Sequence, residues 1–241
     1  MHRPCERLVP GAENVVVVIH GILSTPRFWD EYVAAVPEGW SVASLLLPGH
    51  GGTVTAFGRV KWGAWRQHVH GTIGRLKATH RRVYLVGHSM GALLSLLEAM
   101  EHPEDVAGML LMAVPLRIRV KPSAIVCNML KGVGLGESPE ELARYYGTEQ
   151  DWRVWRYIGW IPRYVEPFAL SRQARQALPG LTTPTRAFQH GRDELVSPKS
   201  AALLKACPVV SLTILEGSMH HDIADADRRT VLDALRAMCT E

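Results

Sequence analysis

The sequence is short of the features that mark secreted, membrane and nucleic-acid-binding proteins. Its 241 residues contain four cysteines, Cys5, Cys127, Cys207 and Cys239, with no CxxC pair among them. That spacing argues against a disulfide framework or a zinc ribbon and reads as reduced, incidental thiols. Long apolar runs are also missing. The stretch Val15–Ile19 is far below the roughly 20 residues a membrane span needs, and the opening MHRPCERLVPGAEN has no signal-peptide core. A cytoplasmic protein without stable membrane insertion is expected. Charge of one sign is scarce too. The formal net charge is +4, and the basic clusters (Arg81-Arg82, and 117–121) are short, which speaks against nucleic acid as a partner. The 117–121 run reads as a solvated edge, or as a hold for anionic or lipid-like substrates. No repeat or low-complexity tract appears, and nothing in the sequence sets an oligomeric state.

A regular alternation of strand-like and helix-like segments remains. Apolar runs at Val15–Ile19, Val42–Leu47, Arg82–Val86, Val106–Met112, Thr185–His190 and Val209–Leu215 read as strands, nearly continuously apolar as in a sheet covered on both faces. Between them, Phe28–Val36, Trp62–Lys77, Gly91–Glu101, Pro198–Ala206 and Asp225–Met238 read as helices. This predicts an α/β protein with a mostly parallel sheet. One interval breaks the rhythm: Pro115 to Thr183 is much longer than a βα crossover needs. It carries helix-like pieces at Ser123–Lys131 and Pro139–Tyr146 and an aromatic stretch from Trp152 to Tyr164. The expectation is a core of residues 1–114 and 184–241, with residues 115–183 inserted after the fourth strand as a helical cap. Trp152, Trp155, Tyr157 and Trp160 would pack cap against core and roof the site.

The chemistry centres on VYLVGHSMG, residues 83–91. An apolar strand ends in Gly-His-Ser-Met-Gly and a helix begins at once. That is the pattern of a nucleophile elbow, in which Gly87 and Gly91 let strand and helix backbones meet and Ser89 sits on the turn. A serine hydroxyl needs a base, and the base needs an acid to hold its tautomer. In doubly wound sheets such partners come from loops after the strands. Gly191-Arg192-Asp193-Glu194 offers the acid, Asp193 ahead of Glu194. Gly217-Ser218-Met219-His220-His221 offers the base, His220 or His221. The chain order serine, acid, histidine fits. A developing oxyanion needs two N–H donors. Met90, after the serine, supplies one; Ile22, in the His20-Gly21-Ile22 loop after the first strand, supplies the other. His20 and His88 read as structural. His50 lies on a glycine-rich loop that lacks P-loop spacing, and His68 and His70 are not four apart, so neither a nucleotide nor a metal site is expected. No cofactor is implied.

These motifs resemble the α/β-hydrolase superfamily, and within it the bacterial carboxylesterase and monoacylglycerol-lipase group. The resemblance runs through HGI at 20–22, LPGHG at 47–51, WxxW at 62–65, GHSMG at 87–91, GRDELV at 191–196 and GSMH at 217–220, and is weakest over the 115–183 insertion. It implies the α/β-hydrolase fold, with a six- or seven-stranded sheet in which the leading antiparallel strands are missing or shortened. It favours His220 over His221, with Asp225 as the acidic residue five positions on. It also implies hydrolysis of small-molecule carboxylic esters through an acyl-enzyme, without a cofactor. The rivals are an acyl thioesterase acting on CoA- or carrier-bound chains, and a non-catalytic ligand-binding protein on the same fold.

Overall fold

The central strands form where the sequence is most continuously apolar and β-branched, a composition that suits a pleated surface buried on both sides. The computed structural model describes residues 2–120, 147–149 and 151–240. Its strands are β1 (Cys5–Arg7), β2 (Asn14–Ile19), β3 (Ser41–Ser44), β4 (Arg82–His88), β5 (Gly108–Met112), β6 (Thr185–His190) and β7 (Val210–Leu215). They form one seven-stranded sheet in the order β1-β3-β2-β4-β5-β6-β7. All neighbours are parallel except β1, which runs antiparallel to β3.

Strand β1 is a shortened leading antiparallel strand ahead of the run at Val15, and it brings the sheet to seven strands. Cys-Glu-Arg carries no apolar run, so hydropathy could not find it. It is held by backbone pairing, with Glu6 opposite Ala43. The inserted interval therefore follows the fifth strand, not the fourth.

The helices among the described residues are α1 (Asp30–Ala35), α2 (Val54–Arg59), α3 (Trp62–Lys77), α4 (Met90–Glu101), α5 (Ile161–Ala177), α6 (Lys199–Lys205) and α7 (Asp225–Met238). Side-chain alternation along β2 divides the core. Val15, Val17 and Ile19 pack with α3, α4 and α6 on one face, through residues such as Trp65, Leu93 and Leu204. Val16 and Val18 pack with α1 and α7 on the other, through Tyr32, Val231 and Leu235. This period of two is what a sheet buried on both sides demands. Helix α2 was not anticipated, although Thr53 accepts a hydrogen bond from the Ala56 N–H at 3.2 Å as its N-cap.

The predicted pieces Ser123–Lys131 and Pro139–Tyr146 lie outside the described residues. Within the rest of the interval, a 3-10 stretch over Val154–Trp160 leads into α5. Leu170 and Ala174 of α5 join the core against α4. Of the four aromatics expected to pack inward, Trp160 is buried; its indole N–H donates to the Val54 carbonyl at 2.8 Å. Trp152 and Trp155 instead face solvent. The basic 117–121 run is partly structural: Ile118 bridges Val196, and the Arg119 N–H donates to the Leu195 carbonyl.

Where β4 gives way to α4, backbones pack without room for a side chain. A Cβ at Gly91 would strike the carbonyl of Ile19, and one at Gly87 would lie 2.8 Å from the Gly91 oxygen. Gly91→Ala is therefore expected to destabilise the protein by about 1–3 kcal/mol or more. Urea denaturation checks it; an unchanged midpoint would contradict this packing.

Candidate active site

Three residues far apart in sequence converge beyond the carboxyl ends of β4, β6 and β7. Ser89 is held at φ +53°, ψ −118°, a backbone conformation that costs a non-glycine residue roughly 1–3 kcal/mol. Its N–H donates to the Met112 carbonyl at the end of β5, 2.9 Å away, and its carbonyl accepts the first bonds of α4. The elbow aims Oγ at His220, whose Nε2 lies 2.9 Å away. On the other edge of that ring, Nδ1 lies 2.8 Å from Oδ2 and 3.1 Å from Oδ1 of Asp193. All three residues are buried.

The two adjacent pairs of candidates separate in space. His220, not His221, reaches the serine, and His221 packs its ring on Phe28 and His88. Asp193, not Glu194, faces the imidazole. Its Oδ1 also accepts from the Leu195 and Val196 N–H groups, each at 2.8 Å. Burial alone would raise the Asp193 carboxyl. The adjacent His220 ring and the hydrogen bonds from His220, Leu195 and Val196 outweigh it, holding Asp193 below the ordinary aspartate range.

Several side chains hold the histidine loop, among them His88, which reads as structural from the sequence. His88, directly before the serine, donates from Nε2 to the His220 carbonyl at 2.8 Å. His190, the last residue of β6, donates from Nδ1 to the Met219 carbonyl at 2.6 Å. Glu194 accepts the His220 N–H at 3.1 Å. The main chain on both sides of the His220 Cα is thus pinned by side chains from β4 and from the β6 end. Both bracing rings are neutral. Burial drives His88 well below the usual imidazole range, with His220, His221 and His190 adding to it. Burial also takes His190 down to about 4. For His190 the only hint in the sequence was the crowding of histidine at strand ends.

A second pair of buried imidazoles braces the loop after β2. His20 accepts the Leu47 N–H on Nε2 and donates from Nδ1 to the Gly21 carbonyl. His50, given no role by the sequence reading, accepts the Leu23 N–H at 3.1 Å, which helps hold Leu23 at φ +55°. Burial lowers His20 to about 4 and holds His50 well below the usual imidazole range, so each keeps the lone pair it needs to accept. A Cβ on Gly21 would come within 3.2 Å of the Ser89 Cβ, so this loop passes directly beside the serine. Neither the Ile22 nor the Met90 N–H is committed to a protein acceptor among the described residues. The arrangement can move a proton from Ser89 to His220.

A sequence profile of the alpha/beta hydrolase family matches residues 16–234, nearly the whole chain. The chain belongs to the alpha/beta hydrolase family. Among curated relatives of this hydrolase is a thermostable monoacylglycerol lipase from Bacillus sp. (strain H-257), 31% identical over 128 residues, covering 53% of this chain and 48% of that protein. The human monoacylglycerol lipase ABHD6 is 27% identical over 109 residues, covering 42% of this chain and 31% of that protein. The matches thus span half or less of the curated relatives' length. Among solved structures, one of the metagenome-derived lipolytic enzymes LipS and LipT superposes with a TM-score of 0.72 at 20% identity, covering 98% of this chain and 96% of that one. The monoacylglycerol lipase of Paleococcus ferrophilus gives 0.69 at 15% identity, covering 99% and 98%. At such identities these likenesses establish the shared fold. Among the described residues, no helix is long and apolar enough to cross a membrane.

Proposed function

We propose that this hydrolase cleaves carboxylic esters, with Ser89 as nucleophile, His220 as general base and acid, and Asp193 as the residue that orients the imidazole. The observation that carries the reading is the continuous hydrogen-bonded row from Ser89 Oγ through His220 to Asp193. In the first half-reaction Oγ attacks the ester carbonyl carbon while its proton passes to Nε2. The tetrahedral oxyanion is received by the Ile22 and Met90 N–H groups. Collapse breaks the bond to the alcohol oxygen, and His220 returns the proton to that leaving group. Water then repeats the sequence on the acyl-enzyme, releasing the acid and restoring Ser89. Every step uses groups of this chain.

The substrate class in this proposal is a lipid-like ester of the monoacylglycerol kind. The relatives named above bear that activity in their names. On α5, Ile161, Val165 and Phe168 form an exposed apolar stripe one helical turn apart, with exposed Trp152 and Trp155 preceding it. This segment connects to the site through Trp160, Phe57 and His50, whose rings stand 4.9 and 5.0 Å apart in sequence. In the same reading residues 115–183 serve as a cap over the site, and the setting is cytoplasmic.

A panel of p-nitrophenyl esters from acetyl to palmitoyl, run beside monoacylglycerols, tests the substrate class; no turnover of any ester would reject it. A matched acyl-CoA and glycerol ester separate this reading from a thioesterase, and a strong preference for the CoA derivative would replace it. The positioning role of His88 has its own consequence. His88→Leu leaves the buried His220 carbonyl without its donor and is expected to cost about 1–3 kcal/mol of stability. Turnover should fall with little change in KM, because the base is displaced and substrate contacts are kept. Equal changes in kcat and KM would argue against it.

A further inference from the structure

Helix α4 is almost wholly buried, and one of its ten buried residues is an acid, Glu98. A carboxylate in such a place is costly unless something compensates its charge. Its side-chain partner is His70 of α3, with Nδ1 2.8 Å from Oε1. One turn further along α4, at its C-terminal cap, stands His102, four residues beyond Glu98; its N–H donates to the Glu98 carbonyl at 2.8 Å. The His70 and His102 rings lie 4.6 Å apart, inclined by 35°. One donor atom from each of His70, Glu98 and His102 falls within 4.8 Å of the others.

The sequence spoke against a metal here because His68 and His70 are not four apart. That spacing bears only on ligands carried by one helix. Folding places Glu98 of α4 and His102, the residue that caps that helix, against His70 of the facing helix. Two imidazoles and one carboxylate suit a borderline-soft divalent ion, which zinc-site geometry places about 2.0–2.2 Å from each donor, with the donors roughly 3 Å apart. The His70–Glu98 separation already meets that spacing. The His70 side chain is more than half exposed, so its ring can turn to complete the set, and the open side faces water. Glu101 and Asp105 add negative potential at His70.

We propose that His70, Glu98 and His102 form a surface site for a divalent transition-metal ion of the zinc class, clamping α3 to the C-terminal end of the helix that begins behind Ser89. The site is separate from the ester-cleaving reading and stands or falls apart from it.

The test is titration of the chelator-treated protein with zinc chloride, read by calorimetry and by thermal melting. One equivalent is expected to bind. At a hundredfold excess of free zinc over Kd the melting temperature should rise by roughly 5 °C or more. The variant His70→Gln/His102→Gln should lose both the binding and the shift. His70→Gln alone, a change at an exposed position, serves the same purpose if the double variant does not fold. No binding by the wild-type protein up to millimolar zinc would overturn the proposal. So would equal binding by wild type and variant, which would place the ion on other histidines.

Discussion

Ser89→Ala is expected to lower kcat/KM for a short-chain p-nitrophenyl ester by at least about 10³-fold, with the fold intact. The hydroxyl is the only atom removed, and the row from Asp193 through His220 then ends on a methyl group. Labelling by a fluorophosphonate probe should vanish together with turnover. Hydrolysis at the wild-type rate would remove Ser89 from the reaction altogether. The backbone supplies a companion measurement. Because Ser89 sits at φ +53°, alanine there retains the strain and glycine releases it. Ser89→Gly should therefore be inactive yet at least as stable as Ser89→Ala in denaturant titration. A glycine variant clearly less stable than the alanine variant would mean that the turn is not strained.

Asp193→Asn is the second large effect, with turnover expected to fall by about 10⁴-fold. The Asn carbonyl can still accept from the Leu195 and Val196 N–H groups, so the loop keeps its shape. Its amide, turned toward His220, presents a donor where Nδ1–H needs an acceptor. The imidazole then moves its proton to Nε2 and can no longer receive one from Ser89. Glu194→Gln is the control, because a Gln oxygen can still accept the His220 N–H; a loss of at most about tenfold is expected. If the Glu194 variant is the crippled one and the Asp193 variant is nearly normal, the two carboxylates have been assigned the wrong way round.

The same aspartate links stability to pH. Its folded-state carboxyl titrates below the ordinary value of 3.8, so its contribution is present above that pH. It is lost as pH falls through the lower folded value. Below about pH 4 the wild type should lose stability faster than Asp193→Asn, measured as denaturation midpoints against pH. Parallel curves would show that the paired carboxylate contributes nothing to folding.

Local pattern was enough for much of this molecule. The β4–α4 elbow is written in a contiguous stretch, because a strand, a tight turn and a helix N-terminus each depend on neighbouring residues. The same holds for Thr185–His190 and Asp225–Met238, whose bounds the periodicity reproduces. Strand β1 escaped because three polar residues pair through their backbone, and a backbone hydrogen bond leaves no mark in side-chain hydropathy. Trp152 and Trp160 carry the same apolar ring, yet one is exposed and the other buried under Val54. The burial of Trp160 depends on α2, an element distant in sequence.

Sequence alone determined that a serine stands on a strand-to-helix turn, and that an acid and a histidine follow on later strand-end loops in the order Ser89, Asp193, His220. Those facts rest on residue identity and short-range spacing. Tertiary structure decided which of two adjacent histidines reaches the hydroxyl. It also set which of two adjacent acids meets the ring, and gave His50 and His190 the backbone partners that make them braces. Each of those outcomes depends on angstrom-scale distances between segments tens of residues apart, and only the packed sheet sets them.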